Sequence, residues 1–198
     1  MRGLKLFHQY YEPKLEEIGV DNVVLRTYTH IKGLSTDDPN NSTELIFTPR
    51  QEVDERMSKI FSEIGEKKGI AITSIVSNNS TPRYLFLLDC SLKASPENEK
   101  ELIGVLRNSF DHLPALKAGM VLRTKNSYHV VGFIPLSIEE WHAHMAQSLL
   151  LKTKSGEAIA DVRYVGHSLE RGYGSLRLSD YLRKPTPDFV CYFDERIL

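Results

Sequence analysis

At 198 residues, 41% hydrophobic and 26% charged, the chain suits an ordinary soluble protein with one sizeable core, or a domain with an N-terminal extension. A net charge of −1 excludes a globally basic nucleic-acid binder and confines any such contact to a local cationic groove. Two distant cysteines, Cys90 and Cys191, with no Cys-x-x-Cys pair, exclude a cysteine-built zinc site, and no apolar run reaches membrane-spanning length.

The start, Met1 to Lys5, lacks the apolar core of a secretory leader, so the expected compartment is the reducing cytoplasm. Asn22 to Tyr28 predicts a strand, and Ser35 to Ser42 a loop. Asn41-Ser42-Thr43 is a glycosylation sequon that such a compartment leaves unused. Thr48-Pro49-Arg50-Gln51 carries a cap, a first-turn proline and a glutamine at the capping-box position. It predicts a helix with Val53, Met57, Ile60, Phe61 and Ile64 on one face. Ile70 to Val76 and Tyr84 to Asp89 predict strands around a turn at Asn78-Asn79-Ser80. Ser95-Pro96-Glu97 opens a helix that turns Leu102, Ile103, Leu106 and Phe110 to one side. Met120 to Thr124 and Tyr128 to Phe133 predict a hairpin around Lys125-Asn126. Ser137-Ile138-Glu139-Glu140 is a capping box, and Ile138, Trp141, Met145 and Leu149 behind it are expected to face inward. Ala158 to Tyr164 predicts one more strand. Gly166 to Ser179 holds glycines, hydroxyls and two arginines. It reads either as a loop bringing backbone donors and guanidinium groups to phosphates or as a plain hairpin.

From Tyr84 the order is strand, helix, strand, strand, helix, strand, the split βαβ or ferredoxin-like arrangement. Its first and third strands are central neighbours and its fourth lies beside the first. Asp89 ending the first strand, His129 on the third and Asp161 on the fourth are therefore expected to share the open face opposite the helices. Two carboxylates across a sheet are costly without a cation. Oxygen ligands of this kind suit Mg²⁺ or Mn²⁺, which neutralise phosphates and activate an attacking hydroxyl. The plainer reading makes Asp89 a strand-end cap and Asp161 a turn residue. His142 and His144 lie on a predicted helix, where a two-residue step makes them diverge, so they are not read as metal ligands. Tyr10 and Lys14 form a nuclease-like Tyr-x-x-x-Lys at the wrong end of the chain. Trp141 is expected in the core, and Arg183-Lys184-Pro185 as a solvated turn.

Taken together, these motifs resemble the archaeo-eukaryotic primase superfamily, especially the compact primase-polymerases of plasmids and viruses. The family's first motif is an apolar strand ending in Asp-x-Asp or Asp-x-Glu, and Leu87-Leu88-Asp89-Cys90-Ser91 stands in that place. Its small-x-His motif is matched by Ser127-Tyr128-His129, and its apolar-Asp motif by Ala160-Asp161. Leu176-Arg177-Leu178 looks like the arginine that often follows. The resemblance runs from Tyr84 to Ser179. It implies an α+β fold, with an N-terminal α/β half over residues 1–80 and an RRM-like catalytic half over residues 81–198, compact as one domain. It further implies a metal-dependent nucleotidyltransferase of the primase and DNA polymerase type, acting in DNA replication. Asp89, His129 and Asp161 would be catalytic, with Asp89 and Asp161 on Mg²⁺ or Mn²⁺. Ser127, His129, Arg177 and Lys125 would hold the nucleotide triphosphate. Arg123, Lys125, Arg163 and Arg171, with Tyr173, would face single-stranded DNA or a primer-template. A helicase or other replication protein is the implied further partner, and no membrane is.

Ser91 departs from the family pattern, which has its second carboxylate there. A serine hydroxyl is a poor ligand for a hard divalent ion, and one negative charge is lost. Glu97 and Glu99 are explained by the dipole of the helix they begin. The alternative expectation is a non-catalytic nucleotide- or single-stranded nucleic-acid-binding module on the same fold, with Tyr128, Tyr164 or Tyr173 stacking on bases.

Overall fold

The computed structural model describes residues 2–28, 42–47, 68–180 and 184–195. Of the expected loop from Ser35 to Ser42, all but Ser42, which begins a strand, lies outside the described residues, as does the expected helix opening at Thr48. Phe7, Tyr11 and Leu15 recur at helical spacing and are fully buried. They belong to α1 (Arg2–Leu6), a π-helical stretch (Phe7–Tyr11) and α2 (Glu12–Glu17).

The fold is α+β, with two antiparallel sheets. The first contains β1 (Asn22–Tyr28), β2 (Ser42–Phe47), β3 (Gly69–Asn78) and β4 (Thr81–Tyr84), in the order β2-β1-β3-β4. Asn79 and Ser80 both take positive φ, as a two-residue hairpin turn between β3 and β4 requires. The second sheet contains β5 (Leu87–Asp89), β6 (Ala118–Arg123), β7 (Tyr128–Gly132) and β9 (Asp188–Asp194), in the order β5-β7-β6-β9. A short strand, β8 (Ser175–Arg177), pairs with β3, so the second half of the chain completes the first sheet. The expected single strand from Tyr84 to Asp89 is divided. Tyr84 ends β4 and Leu87 begins β5, with Leu85 and Phe86 fully buried where the chain passes between sheets.

The predicted caps form. Ser95 accepts from the Asn98 N–H at the start of α3 (Pro96–Asn108). Ser137 and Glu140 complete the capping box of α4 (Ile138–Ser148). Trp141 and Met145 are buried as expected, but Leu149, past the end of α4, is 36% exposed.

The expected strand from Ala158 to Tyr164 is corrected. Only two isolated bridges form there, Lys152 with Ala158 and Cys90 with Ala160. The Asp161 carboxylate then accepts from the N–H groups of Arg163 (2.9 Å) and Tyr164 (3.3 Å) and starts α5 (Val162–Arg171). That cap turns the chain out of extended geometry. Gly166 to Arg171 is therefore helix rather than phosphate loop or hairpin, and Gly172, at φ 77°, ends it.

The second sheet has two apolar faces. Phe86, Leu88, Val121, Tyr128 and Val130 pack with Leu102 and Leu106 of α3 and Trp141 and Met145 of α4. Leu87, Met120, Leu122 and Val131 pack with Val23, Leu25, Ile70, Ile72 and Leu176 of the first sheet. The face opposite the helices is thus covered by the other sheet, and is not the open face expected from a lone split βαβ unit.

Candidate functional site

Asp89 and His129 lie directly opposite one another on β5 and β7. Alternation puts Asp89 on the side of Leu87 and His129 on the side of Val131, the side that packs against the first sheet. The polar pair therefore sits where the apolar contact between the sheets runs out. His129 Nε2 is 3.7 Å from Asp89 Oδ1; the histidine side chain is 8% exposed and the aspartate 36%. Burial, then Arg177 and Lys184, pull the His129 pKa down to about 3, so the ring is neutral near pH 7. Its Nδ1 is buried without a hydrogen-bond partner among the described residues. Asp89 moves the other way. Burial, then the Asp161 carboxylate, push it up to about 6 against the opposing pull of Lys184 and Arg177.

Asp161 is held beside Asp89 by the main chain, its N–H donating to the Asp89 carbonyl at 2.9 Å. One carboxylate oxygen caps α5, and the other lies 3.5 Å from the exposed Arg163 guanidinium. Ser91 is committed elsewhere: its hydroxyl donates to the Ala158 carbonyl at 2.5 Å, clipping the end of β5 to the segment leading to Asp161. Among the described residues, no group of three or more His, Cys, Asp or Glu side chains is arranged to hold a metal ion.

Arg177 arrives from the first sheet. Its Nη1 donates to the carbonyls of Ser179, Lys184 and Pro185, pinning the chain after β8. Asp180 strengthens that turn by accepting from both the N–H and the hydroxyl of Thr186. Lys184, read from sequence as a solvated turn residue, is thereby brought within electrostatic reach of Asp89 and His129. No local motif marked it, because its position depends on carbonyls gathered by an arginine seven residues earlier.

Other expected residues lie apart from this cluster. The Ser127 hydroxyl is 3.2 Å from the Thr124 hydroxyl in the β6–β7 turn, and Lys125 is exposed at its tip. Arg123 stands on the helix side of the sheet, 3.7 Å from Glu99 of α3. That side takes both residues away from Asp89, so neither Arg123 as part of the groove nor Glu99 as a substitute ligand joins the pair. Tyr128 is fully buried, its hydroxyl donating to the Ser95 carbonyl and accepting from the Ser95 N–H. Tyr164 donates to the Leu87 carbonyl at 3.1 Å. Burial first, then the Asp89 charge, raise its pKa. Tyr173 is 7% exposed between the guanidinium groups of Arg26 and Arg171. None of the three tyrosines offers the open ring expected for base stacking. His142 packs edge-on against Trp141, and His144 Nδ1 lies 2.6 Å from the Glu140 carbonyl, consistent with helix residues rather than metal ligands.

A protein-family model described as AEP-like, archaeo-eukaryotic primase 1D-like, matches residues 49–186, more than two thirds of the chain. No curated protein and no solved structure matches it.

Proposed function

The chain belongs to the archaeo-eukaryotic primase 1D-like family, and from that premise we propose that it is a metal-dependent nucleotidyltransferase of the primase and polymerase type, acting in DNA replication. The observation that carries this reading is the direct pairing of Asp89 with His129, next to an Asp161 tied to Asp89 by its own backbone. The donors fit one hard cation, Mg²⁺ or Mn²⁺: two carboxylates that repel each other, the outer Asp161 oxygen facing only the exposed Arg163 guanidinium at 3.5 Å. Asp89 and the outer oxygen of Asp161 would hold it. When bound, the ion neutralises the α-phosphate and activates the attacking 3′-hydroxyl.

The chain's own residues position the triphosphate. His129, kept neutral, donates one N–H to a phosphate oxygen without adding charge. Lys184 and Arg177 supply positive charge beside it, and Ser127, in the β6–β7 turn two residues before His129, a hydroxyl at a distance from the pair. The new bond joins the 3′-oxygen to the α-phosphorus, and pyrophosphate leaves. Nucleotide triphosphates and a primer-template are the substrates, and a helicase or another replication protein is the expected companion. Among the described residues no helix is long and apolar enough to cross a membrane.

A second reading rests on Ser91. With its hydroxyl spent on the Ala158 carbonyl, the site lacks the family's second carboxylate. A nucleotide- or single-strand-binding module on the same fold would keep the cations and lose the chemistry. Incorporation of labelled nucleotide on primed and unprimed single-stranded templates with Mn²⁺ separates the two. Signal that disappears in Asp89→Ala supports the enzyme; nucleotide binding without incorporation supports the module. Neither binding nor incorporation sinks both.

A further inference from the structure

β5 stands at the end of the order β5-β7-β6-β9, so among the described residues one of its edges meets no strand of that sheet. The Gly132 N–H donates to the Phe86 carbonyl and the Cys90 N–H to the Tyr128 carbonyl, so Phe86 and Cys90 bond towards β7. By alternation Leu87 and Asp89 turn their carbonyls off the other edge. Buried carbonyls need donors, which a further strand beside β5 would supply. Here the first turn of α5 supplies them instead. The Asp161 N–H serves the Asp89 carbonyl at 2.9 Å, and the Tyr164 hydroxyl serves the Leu87 carbonyl at 3.1 Å.

The Tyr164 hydroxyl sits where α5 meets both sheets. The Ser168 hydroxyl and the Ser175 N–H at the start of β8 donate to it. Gly174, whose carbonyl accepts from the Ser74 N–H of β3 at 2.8 Å, leaves room for it. A Cβ at Gly174 would lie 2.7 Å from the phenol oxygen, closer than such atoms stand, and the end of the tyrosine side chain would have to give way. Asp161 and Tyr164 are about one helical turn apart, and Leu87 and Asp89 are alternate residues of one strand, so the two bonds run side by side. The bond from the Asp161 N–H fixes how near its residue stands to Asp89, but alone it leaves the helix free to pivot. The phenol bond removes the pivot and sets the direction in which the Asp161 carboxylate points.

We propose that Tyr164 is a positioning residue for the Asp89–Asp161 pair: its hydroxyl stands in for a strand on the free edge of β5 and aims the Asp161 carboxylate at the divalent ion shared with Asp89. This deepens the function proposed above and rests on it for the ion. Tyr164 touches neither the ion nor the nucleotide; it acts through the first turn of α5, and Gly174 is the position that lets it do so.

The test combines two readouts on the full chain: Mn²⁺ affinity, from the electron paramagnetic resonance signal of the free ion, and deuterium exchange of the Asp161 N–H by NMR. The variants are Tyr164→Phe, Gly174→Ala, the two together, and Tyr192→Phe. Tyr192 is the matched control, since its hydroxyl donates to the Tyr10 carbonyl at 2.8 Å on β9, the far edge of the same sheet. Loss of one phenol–carbonyl bond in Tyr164→Phe is expected to weaken Mn²⁺ binding and to speed Asp161 exchange, each about fivefold. Tyr192→Phe, which loses the same kind of bond, keeps wild-type values of both. Gly174→Ala reproduces the Tyr164→Phe losses, and the double variant loses no more than either single one, because both act through one hydroxyl. If Tyr164→Phe does not fold, Gly174→Ala with every tyrosine in place carries the test. Wild-type Mn²⁺ affinity or wild-type Asp161 exchange in Tyr164→Phe overturns the proposal, as do equal losses in Tyr192→Phe or additive losses in the double variant. Wild-type protein that binds no Mn²⁺ sinks the metal reading. Exchange then decides the clamp alone, faster in Tyr164→Phe than in Tyr192→Phe supporting it and equal rates overturning it.

Discussion

Asp89 shows how a half-buried carboxylate is maintained at a cost to folding. Its pKa stands near 6 because the fold buries it and sets Asp161 beside it. The folded protein therefore prefers the protonated acid. Without divalent ions, the associated stability is present below about pH 4 and is lost as pH rises through about 6. Asp89→Asn, neutral throughout, is expected to be more stable than wild type above pH 6 by about 1 kcal/mol, less than the whole shift would give, because solvent reaches a third of the side chain. The difference should close near pH 4. Denaturant titrations in EDTA at the two pH values measure it, and a less stable variant at pH 7 would contradict the account. Ser91 gives a complementary case. Ser91→Asp sets a carboxylate against the Ala158 carbonyl and should cost about 1 kcal/mol without metal. With a third acidic side chain available beside Asp89 and Asp161, Mn²⁺ should raise its unfolding temperature more than it raises that of wild type. Equal Mn²⁺ shifts in the two proteins would mean that the position does not face the cation.

At the level of elements, one residue both starts a helix and stands beside Asp89. Asp161 caps α5 with one oxygen and sets the other 3.5 Å from Arg163, while its N–H donates to the Asp89 carbonyl. Asp161→Asn retains a capping oxygen and should unfold close to wild type, whereas Asp161→Ala should lose about 1 kcal/mol. Both should lose Mn²⁺-dependent nucleotide incorporation. Full incorporation by Asp161→Asn would make the residue a cap and nothing more. The same double role explains what the sequence concealed. Ile159, Ala160 and Val162 look like a strand, and Gly166 argues against a helix, so the capping signal in Asp161 was masked by its neighbours. Ser95 and Ser137 carried stronger punctuation, a proline in one case and a glutamate three residues on in the other, and their helices were legible. So were β1, the β6–β7 hairpin and the neighbour relation of β5 and β7, which put Asp89 and His129 on adjacent strands. β2, β8 and β9 were not. Each is decided by a distant partner, and nothing local tells Ser175–Arg177 that it will lie on β3.

At the scale of the molecule, the two sheets depend on one another. Leu87, Met120, Leu122 and Val131 are buried only because the first sheet covers them, and β8 crosses back to complete that sheet. The boundary expected after residue 80 falls in the β3–β4 turn. A fragment of residues 81–198 would expose that apolar face and carry β8 without β3. It should therefore lack a cooperative unfolding transition and bind a hydrophobic dye, while the full chain does neither. A sharp transition in the fragment would show the second sheet to be self-sufficient. Within the whole chain, the bond from the Asp161 N–H to the Asp89 carbonyl has a wider meaning. The gap between the two acidic positions is set by main-chain atoms that every amino acid except proline possesses. Positions 89 and 161 thus form a socket of fixed width, into which other donor pairs, softer or harder, can be plugged by substitution while the surrounding ladder keeps the spacing.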